Sequence, residues 1–393
     1  MLAVAGLACA GCGGGQVADG SGKARAAVPG RHAYAGRPPQ DPPASWSVLC
    51  AVPPGRDLRA DLGRTVPGSL RAKVIPLGVS ASGQDVYASV WTPQFAGVAA
   101  VSLATGGMRK IQQFGNRVTD QADGSSDGGW LVWEETYSLQ SLDDFTVYGW
   151  DPVTGRLLRL GQSLPGAGGA PWPSPWHPPA VSGHYAAWAQ GYGPDGEVEV
   201  RLADLATGQV RVIRTGHTQP PFFDGSLVVW PESDRPGAQT SLRAFSPVTG
   251  RPARLPPALR AVHGTEFVVT DGTRTAYFSP DLTALYYSRA PGQQARIVLR
   301  LPVGVEFADL AMGAGWIAWT TTAATYLAST TTGTYTQVTP EYGIATGSGS
   351  DVLISDAASG KAAGSKAASL ILPMHVVGPA GLAWPGCRVG RSH

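Results

Sequence analysis

The sequence predicts an all-β fold, a β-propeller of four-stranded blades, and three observations carry that expectation. The 393-residue chain is only 15% charged and holds 52 Gly and 33 Pro, a balance that suits short strands and tight turns and argues against long charged helices. Turn glycines recur at 106, 155, 208, 250, 292 and 333, with spacings of 49, 53, 42, 42 and 41 residues. A second pattern, an apolar run ending in Trp, alternates with them, and the period is that of a propeller blade.

The Trp-ended runs are Gly128 to Trp133, Gly183 to Trp188, Gly225 to Trp230 and Gly315 to Trp319, with looser copies at Gly83 to Trp91, Gly264 to Val269 and Gly349 to Ile354. The other pattern is strand, Thr-Gly turn, strand, as in Val147 to Leu160 around Thr154 and Gly155. A glycine supplies the positive φ that a tight hairpin needs, and alternation on either side sets one strand face against a neighbouring blade. The Trp rings are then expected to fill the space between blades. Helical solenoids share the period, but their amphipathic stretches of ten or more residues are missing. Six glycine-centred units are clear and a seventh falls in Tyr342 to Leu372, so seven blades are expected, with six as the alternative.

Residues 1–12 end an uncharged apolar run at Cys12, and Ala10, Gly11 and Cys12 resemble the tail of a bacterial lipoprotein signal peptide. That resemblance implies diacylation of the Cys12 thiol and an exported chain, lipid-anchored on the outer side of the cell membrane; the alternative is a non-lipidated signal and a secreted protein. Residues 13–43 are rich in Gly, Ala and Pro without hydrophobic periodicity, and read as a disordered tether. Residues 44–390 form the single propeller domain. With Cys9 and Cys12 in the signal, Cys50 and Cys387 remain as an even pair at the two ends of the domain. In an oxidising compartment they are expected to form a disulfide that ties the ends of the ring, the alternative being two buried thiols.

Several chemistries find no support. The formal net charge is +2 with scattered Lys and Arg, so no electrostatic footprint for nucleic acid is present. No Gly-x-Ser-x-Gly elbow sits between a strand and a helix. The His residues, at 32, 177, 184, 217, 263, 375 and 393, are isolated, and neither calcium-loop nor phosphate-loop spacings occur. No metal or other cofactor is therefore expected. Paired acids stand at Glu134 with Glu135 and Asp143 with Asp144. Two carboxylates a few ångströms apart serve in glycoside cleavage, but adjacent strand residues point to opposite faces.

Loops between second and third strands share one rim with the connections between blades. On that rim fall Glu135, Asp143 and Asp144, together with Trp172, Trp176 and His177 among the prolines of Gly161 to Pro179. These six make a candidate ligand-binding rim, with aromatic area available for stacking.

Pro179 to Gly183, Ala186 to Trp188 and Arg201 to Gly208 resemble the TolB-like β-propeller repeats of bacterial cell-envelope proteins, over roughly residues 74–338. The resemblance implies a structural repeat and leaves the ligand open. The expectation from sequence is a monomeric, non-catalytic binding or scaffold module that meets a protein or an envelope polymer. The alternative is an envelope polysaccharide-active enzyme using the rim carboxylates.

Overall fold

A computed structural model describes residues 49–56, 58–59, 66, 73–127, 129–137, 143–166, 168–173, 177–193, 196–265, 267–288, 292–322, 324–339, 343–348, 351–356, 374–377 and 384. The signal segment with Cys12, the tether, Trp176 and Cys387 lie outside them. Antiparallel strands dominate the described residues, with a short 3-10 turn at Pro257–Leu259 and helical residues at 56 and 58–59, and no described helix is long and apolar enough to cross a membrane.

The strands follow one another in antiparallel groups, each a blade. The inner strands are Lys73–Val79, Gln121–Ser126, Ala180–Ser182, Phe222–Asp224, Val268–Thr270, Phe307–Gly313 and Gly343–Ser348, in blades 1 to 7. Each packs against the next, and the seventh packs back against the first, so the inner strands close a ring around an axis. The fold is the propeller expected from composition and period. Blade 7 has three strands among the described residues.

The core is divided among the junctions. Trp133 packs between blades 1 and 2, Trp188 between 2 and 3, Trp230 between 3 and 4, Trp319 between 5 and 6, and Trp316 between 6 and 7. An aromatic side chain buries 150–250 Å², so each ring contributes roughly 4–6 kcal/mol as an upper bound on its apolar transfer. The Thr-Gly turns close the outer hairpins as expected. Gly155 has φ 73°, its N–H donates to the Asp151 carbonyl at 2.8 Å, and the Asp151 carboxylate accepts from the Val153 N–H and the Thr154 hydroxyl. These bonds hold the Asp151 carboxyl below its usual range, the Thr154 hydroxyl contributing most.

Cys50, at the N-terminal end of the domain, does not join the first blade. Cys50–Ala51 instead pairs in parallel with Thr334–Tyr335 on the outer strand of blade 6. Leu49 packs into the junction of blades 5 and 6, Leu58 into that of 6 and 7, and Val66 into that of 7 and 1 beside Leu353. The N-terminal part of the domain is thus a strap over the blades where the ring closes. Cys50 is in a disulfide, and Cys387, the partner expected from the cysteine count, is outside the described residues.

Leu58→Ala and Leu353→Ala are each expected to lower unfolding free energy by about 2–5 kcal/mol, the range for emptying a buried leucine site. Urea denaturation checks this; an unchanged midpoint for Leu58→Ala would mean that the strap does not hold the ring.

Candidate functional site

The acids of blade 2 divide between two junctions because its first two strands are in register. Asp123 lies opposite Glu134, and Ala122 opposite Glu135. Val132, Phe145 and Val147, on the same face as Glu134, pack against blade 3, whereas Ala122, Leu131 and Trp133 pack against blade 1. Glu134 and Asp123 therefore face blade 3, and Glu135 faces blade 1.

Glu135 is a buried latch rather than an open rim acid, which corrects its assignment to the ligand-binding rim. Its Oε2 accepts from Gln112 Nε2 at 2.6 Å, across the junction to the outer strand of blade 1. The position two residues beyond the Trp repeats this role. In blade 3 Gln190 Nε2 donates to the Gln162 carbonyl at 2.7 Å, and in blade 4 Glu232 pairs with the Arg214 guanidinium while accepting from Trp230 Nε1 at 3.1 Å. Each partner lies on the outer strand of the preceding blade. A Trp-x-Glu/Gln spacing in the sequence carried this signal, which the reading of the repeats stopped short of.

Asp123 and Asp309 stand on the inner strands of blades 2 and 6, toward the rim that carries the second-to-third-strand loops. Each is partly open by surface area yet enclosed by protein on most sides. Desolvation raises Asp123 to about 7 and Asp309 to about 6, and the Asp309 charge adds to the rise at Asp123. Each accepts one bond from the following backbone N–H, of Gly124 and Leu310, at 2.8 Å. Glu134, 3% exposed, is raised well above its usual range by burial, then by the charges of Asp123 and Asp143. Glu135 is raised to about 7 by burial and by Asp120.

Of the other rim residues, Asp143, Asp144, Trp172 and His177 are among those described. Asp144 is exposed and accepts from the Ser163 hydroxyl at 3.2 Å, and Asp143 is half-buried near Glu134. Trp172 is half-buried and lies against its own loop: a Cβ on Gly166 would stand 3.1 Å from the ring. The Trp172 and Pro173 carbonyls lie so close over Gly191 that a Cβ there would meet the Pro173 oxygen at 2.2 Å. His177 has more than a third of its surface open, although surrounding protein lowers its imidazole toward about 4 by desolvation; the open surface is the better guide to water access. Among the described residues no three His, Cys, Asp or Glu side chains group as a metal site.

No protein-family model and no curated protein matches the chain. Among solved structures, a prolyl endopeptidase is 13% identical with a TM-score of 0.51, over 83% of this chain and 51% of the other, so this chain spans about half of that one. The β-propeller domain of the Trilobed protease from Pyrococcus furiosus is 10% identical with a TM-score of 0.50, over 78% of this chain and 92% of that domain. Puromycin hydrolase is 17% identical with a TM-score of 0.49, over 74% and 51%. At such identities the likeness shows the fold alone. The prolyl endopeptidase and the Trilobed protease domain are an enzyme and a domain of one, so the expectation of a non-catalytic scaffold has no support from the fold and is withdrawn.

The raised carboxylates make stability depend on pH. Unfolded, they titrate near about 4, so between that pH and their folded values the folded chain holds more protons. Their stabilisation is complete below about 4 and is lost as pH rises through about 6 to 7. In chelator-containing buffer the urea midpoint is expected to fall from pH 5 to pH 8, with a shallower fall for Glu134→Gln. A midpoint rising over that window would contradict the assignment.

Proposed function

We propose that the chain is an exported propeller enzyme, or the propeller of one, which engages its substrate at the rim-side mouth of the axial channel. The observation that carries this reading is the pair of enclosed, partly open inner-strand carboxylates, Asp123 of blade 2 and Asp309 of blade 6, near enough for the Asp309 charge to raise Asp123. Two carboxylates there suit a substrate group rich in hydrogen-bond donors, an ammonium or clustered hydroxyls, borne by a protein or an envelope polymer. The protein around both carboxylates lowers the local dielectric, which strengthens each contact. The fold neighbours with the higher TM-scores are an endopeptidase and the propeller of a protease, which makes peptides the first substrates to try.

The same reading has the chain acting as a monomer of the TolB-like kind in the cell envelope, held by lipid on Cys12 and by a Cys50–Cys387 disulfide. Intact-mass analysis of membrane fractions is expected to show a diacylglyceryl addition that Cys12→Ala lacks, and non-reducing peptide mapping to recover the Cys50–Cys387 pair. An unmodified Cys12 in the membrane fraction would remove the anchor.

For the site, purified chain is incubated with peptide and oligosaccharide libraries and products are followed by mass spectrometry. Turnover is expected to fall by about 10²-fold or more in Asp309→Asn, as for loss of a positioned acid or base, with Asp144→Asn unchanged. Turnover by Asp309→Asn equal to the parent's would rule out the channel mouth.

A further inference from the structure

The last strand of each blade runs along the outside of the ring. In blades 1 to 5 these strands are Met108–Gln113, Leu157–Gln162, Gln209–Thr218, Arg251–Ala253 and Arg296–Arg300. Apart from the His217–Thr218 end, which pairs with blade 4, no described strand covers their outer edges. Together they hold eight Lys or Arg and no Asp or Glu, although the chain has 30 residues of the first kind and 28 of the second. All eight are exposed. They are dispersed along the sequence, but they share one position in the blade, so the ring gathers them into a belt over five consecutive blades.

Charge on an open edge keeps sheets from pairing edge to edge. Carboxylates serve that purpose as well as cations, so edge protection leaves the single sign unexplained. The outer strand of blade 6, Thr334–Thr339, carries no charge, and it is the edge that Cys50–Ala51 covers, so the belt stops there. Two of the cations are held in place from below. The Arg109 guanidinium lies 4.8 Å over the Trp150 ring of blade 2, and that of Arg211 lies 5.2 Å over the Phe245 ring of blade 4, where it also donates to the Pro247 carbonyl at 3.4 Å. Stacking leaves N–H edges of a guanidinium free to donate and reduces the side-chain freedom lost on binding. Arg214 is paired with Glu232; none of the other seven has an ion pair among the described residues.

A convex belt of one sign suits an anion that can follow its curvature. A flat bilayer touches the side of a ring at one or two blades and leaves the rest of the belt unmet. A DNA duplex is stiff over about 150 base pairs. Single-stranded nucleic acid binds by stacking bases on open aromatic rings, whereas Trp150 and Phe245 are buried beneath Arg109 and Arg211. A flexible chain with repeated anionic groups meets none of these limits. We infer that the outer strands of blades 1 to 5 form a binding surface for a linear anionic polysaccharide, whose carboxylates or sulfates pair with the guanidinium groups around the ring. The belt goes beyond the proposed function and contains neither Asp123 nor Asp309; its readout needs no turnover, so either reading can fail alone.

The test titrates the full chain into fluorescent dextran sulfate, alginate and neutral dextran, beside phosphatidylglycerol vesicles and single-stranded DNA. Both anionic polymers are expected to bind at about 50 mM salt and to lose at least tenfold in affinity by about 200 mM, as counterion release requires, while neutral dextran stays unbound. The tighter of the two polymers identifies the preferred anion. Arg109→Gln combined with Arg211→Gln is expected to weaken binding about tenfold. Arg159→Gln combined with Arg251→Gln, at exposed positions with no ring contact, is expected to weaken it several-fold and guards against misfolding of the first pair. Arg117→Gln combined with Arg235→Gln makes the same change of charge at exposed positions outside the outer strands and is expected to leave binding within about twofold. No binding at about 50 mM salt, or equal losses in all three pairs, would overturn the belt. Tighter binding to vesicles or to single-stranded DNA than to either polymer would also overturn it, and would make the partner a membrane or a nucleic acid.

Discussion

Every blade of this protein is a sheet with two apolar faces, and neither face is satisfied until a neighbour covers it. Apolar burial therefore has to continue around the circle, and the critical contact is the one between the last blade and the first. Here Leu353 of blade 7 enters the cluster formed by Val74, Val79, Val86 and Val90 of blade 1. Over the same region run Leu49, Leu58 and Val66, each in a different junction. The parallel pairing of Cys50–Ala51 with blade 6 adds backbone bonds at the outer edge, with the Cys50 N–H donating to the Gly333 carbonyl at 2.9 Å. Closure rests on side-chain packing supported by a strap, and the other junctions hold their geometry because that closure holds.

Packing alone leaves sliding between blades inexpensive, since apolar surfaces attract without direction. The polar residues two positions beyond the Trp supply direction. Gln112 with Glu135, Gln190 with the Gln162 carbonyl, and Arg214 with Glu232 each tie the second strand of one blade to the outer strand of the blade before it. Glu135, Gln190 and Glu232 are buried, where an unmet partner is costly, and so the bonds penalise any shift of one blade against the next. The same rule explains why Gln121 and Gln190 stand out: their carbonyl oxygens are buried in this frame with no such partner.

The carboxylates at the channel mouth run against stability. Asp123 and Asp309 are placed where charge is poorly solvated, and Glu134 stands opposite Asp123 on the paired strand. A hydrophobic residue at any of these places would suit the ring better, so the arrangement is the kind of local conflict that functional sites tolerate. Its position at the axis, where all inner strands converge, gives it access from one face and a rigid surround.

Much of the fold could be read from residues alone. Glycines at a blade-like period, Trp-ended apolar runs and the Thr-Gly turns determine short strands, tight hairpins and aromatic rings between sheets, because these depend on φ preference and on alternation within a few residues. The pairing of Glu134 and Glu135 on opposite faces follows from the same period of two. Which junction each acid enters was decided only in three dimensions, by the register of Gln121–Ser126 with Leu131–Thr136 and by the order of blades around the axis. Asp123 and Asp309 are 186 positions apart and isolated in sequence. The charge of one reaches the other because a closed ring brings distant inner strands around one axis, a constraint of closure that no local pattern carries.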